Sequence, residues 1–432
     1  MPMRLGSIVA LVLAAGAASA QPERTERTVA KVTSAAGTFS VRPANETAFK
    51  VLPAGADLSA GDLLLALPGA SLESSDGSVA VKSLADYDNR SPLPILETAL
   101  VLGGAQKGAD LGLTLDRGRV DLTNKKPRGA AVVAVQFADQ LWTITLDEPG
   151  ARVAVELCGR WPSGARFRVA DPKGTEKPPA PVASLVLLVL KGSARVTSGD
   201  TTVALNAPPG PAVLEWDSVT GGKAQPKKLT ALPDWAEPDA NLTTVGKNVA
   251  AAVEKFRAAR AQDGPVAIER FLESKDPAEQ RVALVTLGAQ DALVELAKSL
   301  SAAKTLEEWD FGITVLRHWL GRCAGQDQRL YQTLTTARGL TPAEAKIVMQ
   351  LLFGFSAAET RAPETYEVLI DYLAHEKPGI RNLSAWHLVR LVPQGKSIPY
   401  KPDGTAADAA RAQAEWRKLV PAGELPPAPP KK

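Results

Sequence analysis

The sequence predicts an α+β multidomain protein, in which an antiparallel all-β sandwich or roll is followed by an all-α domain of repeated helices. Apolar side chains alternate with a period of two from Thr28 to about Trp235. Helical periodicity with repeated helix-start signals follows. A polar, proline-containing stretch at 221–238 separates the two patterns and predicts a linker. We therefore expect a β domain at 28–220 and a helical domain at 239–420.

Alternating apolar residues mark the expected strands of the β domain. Trp142, Ile144 and Leu146 alternate with polar neighbours, and half-buried strands have this period. A strand at Leu63–Leu67 is followed, after a further short strand, by Asp76-Gly77, a pair typical of tight hairpins because Gly tolerates positive φ. The β domain is either one unit or two subdomains divided near 110–150.

Two segments of the β region resemble each other. LTLDRGRVDL at 113–122 and LLVLKGSARV at 187–196 both contain apolar alternation, a central glycine and further alternation. The similarity indicates either a duplicated sheet motif or chance likeness between two amphipathic strands.

The helical region repeats its start signals. Asp276-Pro277-Ala278-Glu279 and Thr341-Pro342-Ala343-Glu344 each offer an N-cap, a proline at the first helical position and a glutamate at the third. Thr305-Leu306-Glu307-Glu308 is a third capping box. Pro277, Ala283, Leu284 and Leu287 have the same spacing as Pro378, Ser384, Ala385 and Leu388, which favours stacked helix pairs over an irregular helical domain. The Pro-rich tail at 421–432 is expected to be disordered or extended.

The N-terminus predicts export. Residues 1–20 carry one arginine, a short apolar run and Ala18-Ser19-Ala20, the form read by signal peptidase. The apolar run is shorter than the roughly 20 residues that span a bilayer, which disfavours an uncleaved anchor. We expect a periplasmic or extracellular protein with no membrane span in the mature chain. The formal charge of +3 gives no reason to expect a nucleic-acid partner.

Two cysteines, Cys158 and Cys323, fall in different predicted domains. Two separate buried thiols are favoured over a disulfide that would join the domains.

The sequence predicts no catalytic, cofactor-binding or metal-ligating residue, and it identifies no binding residue. Gly395-Lys396-Ser397 lacks the upstream glycine of a phosphate loop. The histidines, His318, His375 and His387, do not have the spacing of zinc ligands. Asp86-Tyr87-Asp88-Asn89 lacks the glycine and distal glutamate of an EF-hand, so an exposed loop is favoured over a calcium site.

The eight tryptophans are interpreted mainly as core residues. Trp142 lies in strand alternation and Trp386 on a helix packing face. Trp309 and Trp319 point to similar faces of one helix, where a binding surface is the alternative to ordinary core.

The β region resembles the FecR domain of bacterial exported and cell-envelope proteins. The resemblance rests on GADLSAGDLLLALPGASLESSDGSVAV at 55–81 and on the strand-glycine-strand units LDRGRVDL and LKGSARV. The helical region resembles HEAT-like repeats through DPAEQRVALVTLG at 276–288 and KPGIRNLSAWHLVRL at 377–391. The FecR resemblance implies an envelope-located, protein-contacting β domain and transfers no functional residue.

The leading hypothesis is therefore a non-catalytic, exported cell-envelope scaffold or sensor-type protein that binds a protein partner without a cofactor. An alternative is a carbohydrate- or envelope-polymer-binding module, which would need an exposed row of aromatic side chains. A hydrolase using carboxylates such as Asp86, Asp88 or Glu148 is a third hypothesis, and it has no support from residue spacing.

Overall fold

The structure is a computed structural model that describes residues 28–88, 96–104, 108–170, 179–221, 225–237, 241–302, 306–401 and 404–428. The predicted signal peptide at 1–20 lies outside these residues. Asn89, the last residue of the segment weighed as a calcium site, and Thr305, the first residue of the third predicted capping box, also lie outside them.

The chain forms a β region followed by a helical region, as predicted. The described strands are β1 (Thr28–Val32), β2 (Phe39–Arg42), β3 (Lys50–Val51), β4 (Asp57–Ser59), β5 (Leu63–Ala66), β6 (Ser71–Ser74), β7 (Val79–Ser83), β8 (Thr98–Leu102), β9 (Leu111–Asn124), β10 (Ala131–Phe137), β11 (Gln140–Leu146), β12 (Arg152–Arg160), β13 (Val182–Lys191), β14 (Ser193–Ser198), β15 (Thr201–Asn206), β16 (Pro211–Asp217) and β17 (Pro226–Lys228).

The described α-helices are α1 (Thr244–Asp263), α2 (Val266–Leu272), α3 (Pro277–Ala289), α4 (Leu293–Ala302), α5 (Leu306–Gly321), α6 (Gln326–Thr336), α7 (Pro342–Phe353), α8 (Pro363–Tyr372), α9 (Pro378–Leu391) and α10 (Ala406–Leu419). Short 3-10 turns occur at Asp234–Ala236, Glu359–Arg361 and Pro393–Ser397.

The strands form two sheets that share the long strand β9. The first sheet has the order β4-β1-β6-β7-β9-β12-β13-β16-β17, and all its pairs are antiparallel. The second has the order β3-β2-β5-β8-β9-β10-β11-β14-β15. Here β9 and β10 run parallel, so the prediction of a wholly antiparallel region is wrong at this pair. The crossover after β9 causes the difference, since β10 returns to the start of that strand.

Glycine corners let the chain pass between the sheets. The first part of β9 pairs in the second sheet and its last part in the first sheet, and the change falls at Gly118, whose φ is +93°. The chain likewise leaves β13 in the first sheet and enters β14 in the second at Gly192, where φ is +75°. Gly tolerates this backbone conformation at little cost. The two similar sequence segments therefore share one structural role, a corner between sheets.

Inward-facing side chains of both sheets form one hydrophobic cluster. Leu64 and Val133 of the second sheet meet Val81 and Val153 of the first, and all four are buried. The predicted hairpin is present: β6 and β7 are antiparallel, and Gly77 in the turn has a φ of +72°. Burial of alternating positions explains why period two was a reliable signal here.

The helical region is built around α5, which packs against α3, α4, α6, α7 and α9. The predicted N-cap Asp276 accepts a hydrogen bond from the Ala278 amide, and Thr341 forms a capping box with Glu344. The two similar helices, α3 and α9, both pack against α5, and both bury their small residues, Ala283 and Ser384.

Part of the predicted linker forms β17, and residues 421–428 of the tail have no regular secondary structure. Gln394 donates hydrogen bonds to the tail carbonyls of Pro427 and Ala428, at 3.2 and 3.1 Å. Within the described ranges, each helix is too short or too polar to cross a bilayer.

Candidate functional site

The acidic segment considered for calcium holds the first helix in place. The Asp88 carboxylate accepts hydrogen bonds from the hydroxyl of Thr243 and from its amide at 3.1 Å. Thr243 is the N-cap of α1, and acidic groups stabilise helix N-termini. Asp86 is 3% exposed, so the expectation of an exposed loop is wrong at this position. The helical region covers the segment, which the sequence alone did not reveal.

Glu148, the third carboxylate of the hydrolase hypothesis, has a different structural role. It accepts hydrogen bonds from the Ser193 amide at 3.1 Å and from the Ser193 hydroxyl at 2.7 Å, at the glycine corner that begins β14. Glu148 thus stabilises the passage between sheets, whereas Asp88 caps a helix. Within the described ranges, no three acidic, cysteine or histidine residues are grouped as metal ligands would be.

The aromatic side chains are mostly core. Trp142, Trp309, Trp319 and Trp386 are each buried, and Trp319 Nε1 donates to Asp291 at 2.8 Å. None of the tryptophan, tyrosine or phenylalanine residues falls among the exposed side chains of the described chain. The exposed aromatic row required by the carbohydrate-binding alternative therefore gains no support.

The three histidines have separate environments. His387 is buried, and its Nε2 donates to the Leu351 carbonyl at 2.7 Å. Burial lowers the pKa of His387 to about 4. His375 Nδ1 accepts from the Lys377 amide at 3.0 Å, just before α9. His318 lies beside a buried carboxylate described below.

Gly395 of the phosphate-loop-like triplet packs against Trp416, and a β-carbon there would lie 2.0 Å from the ring. Cys158 and Cys323 are not bridged. Cys158 is buried, but Cys323 is exposed, so the expectation of two buried thiols is wrong for Cys323, which follows the end of α5. Burial raises the pKa of Cys158.

A buried ionic cluster, defined by Glu97, Arg117, His318 and Arg322, joins the two regions. Glu97 Oε1 lies 3.2 Å from Arg322 Nη2, 3.4 Å from His318 Nε2 and 3.5 Å from Arg117 Nε. Each of these side chains is less than a tenth exposed. Arg117 also donates to the Ala289 carbonyl at 2.9 Å, so a β-region side chain reaches the end of α3.

The cluster keeps Glu97 ionised. Burial by itself would raise the pKa of Glu97, but contact with His318 and the charges of Arg322 and Arg117 outweigh it and hold the pKa well below its usual range. Burial lowers the pKa of Arg322 to about 10, which still leaves its guanidinium charged at neutral pH. An ionised carboxylate among cations serves as a charge partner rather than as a proton donor.

A further buried arginine, Arg119, lies two residues after Arg117 on β9. Arg119 is fully buried, pairs through Nε with Glu156 and lies over the Trp235 ring at 4.8 Å. Its two terminal nitrogens have no hydrogen-bond partner among the described residues. Trp235 belongs to the segment between the two regions. It covers Arg119 on the face of the first sheet that points away from the β-region core.

Close backbone packing also holds the helical region against the β region. A β-carbon on Gly159 would lie 2.0 Å from the Gly321 carbonyl oxygen, so β12 and the end of α5 approach at a distance that only glycine permits. Elsewhere, Arg260 of α1 is buried and donates to the Ser40 hydroxyl of β2.

The segment at 161–170, here called the arm, extends from β12 across the helices. Trp161 stacks on Phe353 with 4.7 Å between ring centroids and donates to the Leu320 carbonyl at 3.0 Å. Phe167 lies 5.1 Å from Tyr331. The arm, the glycine contact and the ionic cluster together fix the helical region on the β region.

A cationic surface, defined by Arg317, Trp386 and Arg390, lies where α5 meets α9. Arg317 and Arg390 lie 5.5 and 4.5 Å from the Trp386 ring centroid. Asp310 accepts from Trp386 Nε1 at 2.6 Å and pairs with Arg390. Arg317 has no acidic partner among the described residues. Burial and the charge of Arg390 lower the pKa of Arg317, so this guanidinium is held close to another cation.

The described residues also line a cavity of about 80 Å³, formed by Leu272, Gln280, Leu284, Ser299, Leu300 and Glu308. Ligand sites are typically several times larger, about 300–1,000 Å³. The cavity can hold a few water molecules.

Sequence reasoning missed the ionic cluster and the cationic surface. Glu97 is one carboxylate in an apolar run, and Arg117 and Arg119 interrupt a strand. A charge within a strand usually faces solvent. Here the helical region covers Glu97 and Arg117, and Trp235 covers Arg119. No signal in the sequence indicates that Arg317 lacks a partner.

Comparisons with family models, with curated proteins and with solved structures found no match to this chain.

Proposed function

We propose that the chain is a non-catalytic, exported scaffold of the cell envelope that binds a protein partner through an acidic segment of that partner. The cationic surface is the contact site in this proposal. The proposal depends mainly on Arg317. This part-buried arginine lies beside Arg390 and has no acidic partner among the described residues.

Arginine side chains recognise carboxylates with two parallel hydrogen bonds, and stacking on an aromatic ring orients them for it. Trp386 provides this ring for both arginines. A carboxylate of the partner would supply the negative charge that Arg317 lacks. It would also relieve the repulsion between the two guanidinium groups.

The contacts that hold the two regions together support a scaffold role. The Glu97 cluster, the Gly159–Gly321 contact and the arm hold the helices on the β region. A partner bound to α5 or α9 would therefore have a defined position relative to both sheets. Stacked helix pairs commonly present such surfaces to partners, and we propose HEAT-like repeats for α2–α3 and α8–α9.

The export proposal rests on the signal-like residues 1–20, and the FecR-like interpretation of the β region rests on its strand and turn pattern. Fractionation of cells expressing the tagged chain tests export: the processed protein should be recovered with the periplasmic or extracellular fraction. Recovery in the cytoplasm at full length would contradict it.

The binding proposal is tested by quantitative capture from envelope extracts with the purified chain as bait. Arg317→Gln removes the unpaired charge and should reduce capture of a specific protein at least tenfold. Arg411→Gln is the matched control, because Arg411 is a solvent-exposed arginine on α10 with the same change of charge.

A poly-glutamate competitor should release the protein captured by the wild-type chain. Equal capture by wild type, Arg317→Gln and Arg411→Gln would contradict the proposed contact site. Turnover of an envelope polymer by the purified chain would contradict the non-catalytic role.

A further inference from the structure

The outermost strands of the two sheets differ in how they are protected. At three of the edges the outermost strand is short and carries charge or proline: β3 and β4 have two and three residues and include Lys50 and Asp57, and β17 is Pro226-Lys227-Lys228. Such features discourage pairing with another strand. The fourth edge, β15, has six residues, TTVALN, without charge or proline.

The outer side of β15 offers unpaired backbone groups. β15 pairs with β14 on one side, and the Ala207 amide donates to Gly192 at 2.9 Å in the same ladder. Hydrogen-bonded and non-bonded pairs alternate in an antiparallel ladder. The amides and carbonyls of Thr202, Ala204 and Asn206 therefore point away from β14, and these three residues are exposed.

We propose that β15 pairs with β15 of a second copy of this chain, antiparallel and with the two-fold axis at Ala204. In this register Ala204 opposes Ala204 and Thr202 opposes Asn206. The three outward residues then exchange about six backbone hydrogen bonds, two for each bonded pair.

The side chains match in the same register. Val203 opposes Leu205 of the second copy on the core-facing side, so apolar residues meet apolar residues. Val203 is only half-buried in one copy, and pairing would cover it. On the outer face the polar pair Thr202 and Asn206 meets, and no charge opposes a like charge. This self-complementarity, rather than simple exposure, favours a second copy over an unrelated strand.

Sedimentation of the purified chain tests the proposal, with the Ala204→Pro variant as the perturbation. Proline removes the outward amide of Ala204 and leaves the bonds to β14 intact. The loss of two intermolecular hydrogen bonds, each worth a factor of about five, should raise the dimer dissociation constant roughly 25-fold. Ala204→Thr keeps the amide and is the matched control.

Disulfide trapping gives a second measurement that does not depend on the proline variant folding. In a Cys323→Ser background, Ala204→Cys should form a dimer on mild oxidation, since opposed bonded residues have α-carbons about 5.5 Å apart. Thr202→Cys should not, because the two positions would be separated by roughly 13 Å.

A wild-type chain that sediments as a monomer at 100-fold above the concentration of the capture assay would overturn the proposal. So would equal dimerisation of the Ala204→Pro and Ala204→Thr variants, or equal trapping at positions 202 and 204. Binding of a heterologous neutral strand without self-association would assign the edge to another partner and refute the second copy.

Discussion

Replacement of Glu97 by glutamine should destabilise the protein more than any surface change of charge. Glutamine has nearly the same volume, so the variant leaves no cavity. It leaves Arg117 and Arg322 buried without the carboxylate that each approaches at 3.5 and 3.2 Å. Removal of one member of a buried ion pair typically costs about 3–5 kcal/mol. We expect a loss in this range for Glu97→Gln.

Urea unfolding followed by tryptophan fluorescence measures this loss. For a chain of this size the midpoint should fall by roughly 1 M with an unchanged slope, since the slope grows with the surface exposed on unfolding. Glu46→Gln is the control, because Glu46 forms an exposed pair with Lys50, and its effect should stay within about 0.5 kcal/mol. Arg117 also pairs with Asp116, and Arg322 Nη1 lies 3.4 Å from Asp291 Oδ1. A loss below about 1 kcal/mol for Glu97→Gln would refute the reasoning and imply that these two aspartates suffice for the arginines.

The pH dependence provides an independent check of the same pair. The pKa of Glu97 is lowered by folding from an ordinary value of 4.5. A carboxyl of this kind contributes stability that is present above 4.5 and is lost as the pH falls through its folded pKa. The difference in unfolding free energy between wild type and Glu97→Gln should therefore be constant near neutrality and shrink below pH 4.5. A difference that grows on acidification would contradict this sign.

Three further predictions concern the joint, a buried histidine and the thiols. Gly159→Ala should lower the free energy of unfolding by about 1–3 kcal/mol, because the added carbon overpacks the contact with Gly321. Gly379→Ala is the control and should be neutral or stabilising, because no atom lies within 4 Å of its added carbon. Equal urea midpoints for the two variants would exclude the close contact. The pKa of His387 is lowered to about 4, so its ring should stay neutral from pH 7 to 5 when followed by NMR. The stability that the neutral ring contributes should be full above pH 6.5 and should be lost as the pH falls towards 4. Titration of the ring near pH 6.5 would contradict its burial. A thiol reagent should modify Cys323 in the native chain and Cys158 only after denaturation. Thiols that stay unreactive even after denaturation would indicate a bridge.

The local patterns of the sequence predicted the element types well. Alternation at Trp142, Ile144 and Leu146 and the cap at Thr341 each depend on neighbours within a few residues, and the structure confirms both. The glycine at 118 was also visible, but its role was not. A strand that changes sheets can be recognised only when its partners on both sides are known.

The contacts between the regions could not be predicted in the same way. Arg117 meets Ala289 and Glu97 meets Arg322 across 172 and 225 residues of sequence. An arginine in a strand has the same local pattern whether helices or water cover it. The exposure of Cys323 and the burial of Asp86 were misjudged for this reason, since each depends on how the helices dock on the sheets.

The two proposed contact surfaces use different parts of the molecule, which makes them separable by experiment. β15 packs on β13, β14 and β16, whereas Arg317 and Trp386 belong to α5 and α9. A dimer formed through β15 would present two cationic surfaces at once. Binding of two linked sites to an immobilised partner gains affinity through effective concentration, by a factor of about 10²–10⁴. Ala204→Pro should therefore weaken capture on a dense surface of partner and leave one-to-one binding in solution unchanged. Arg317→Gln should weaken both, and loss of solution binding in Ala204→Pro would mean that the edge itself contacts the partner.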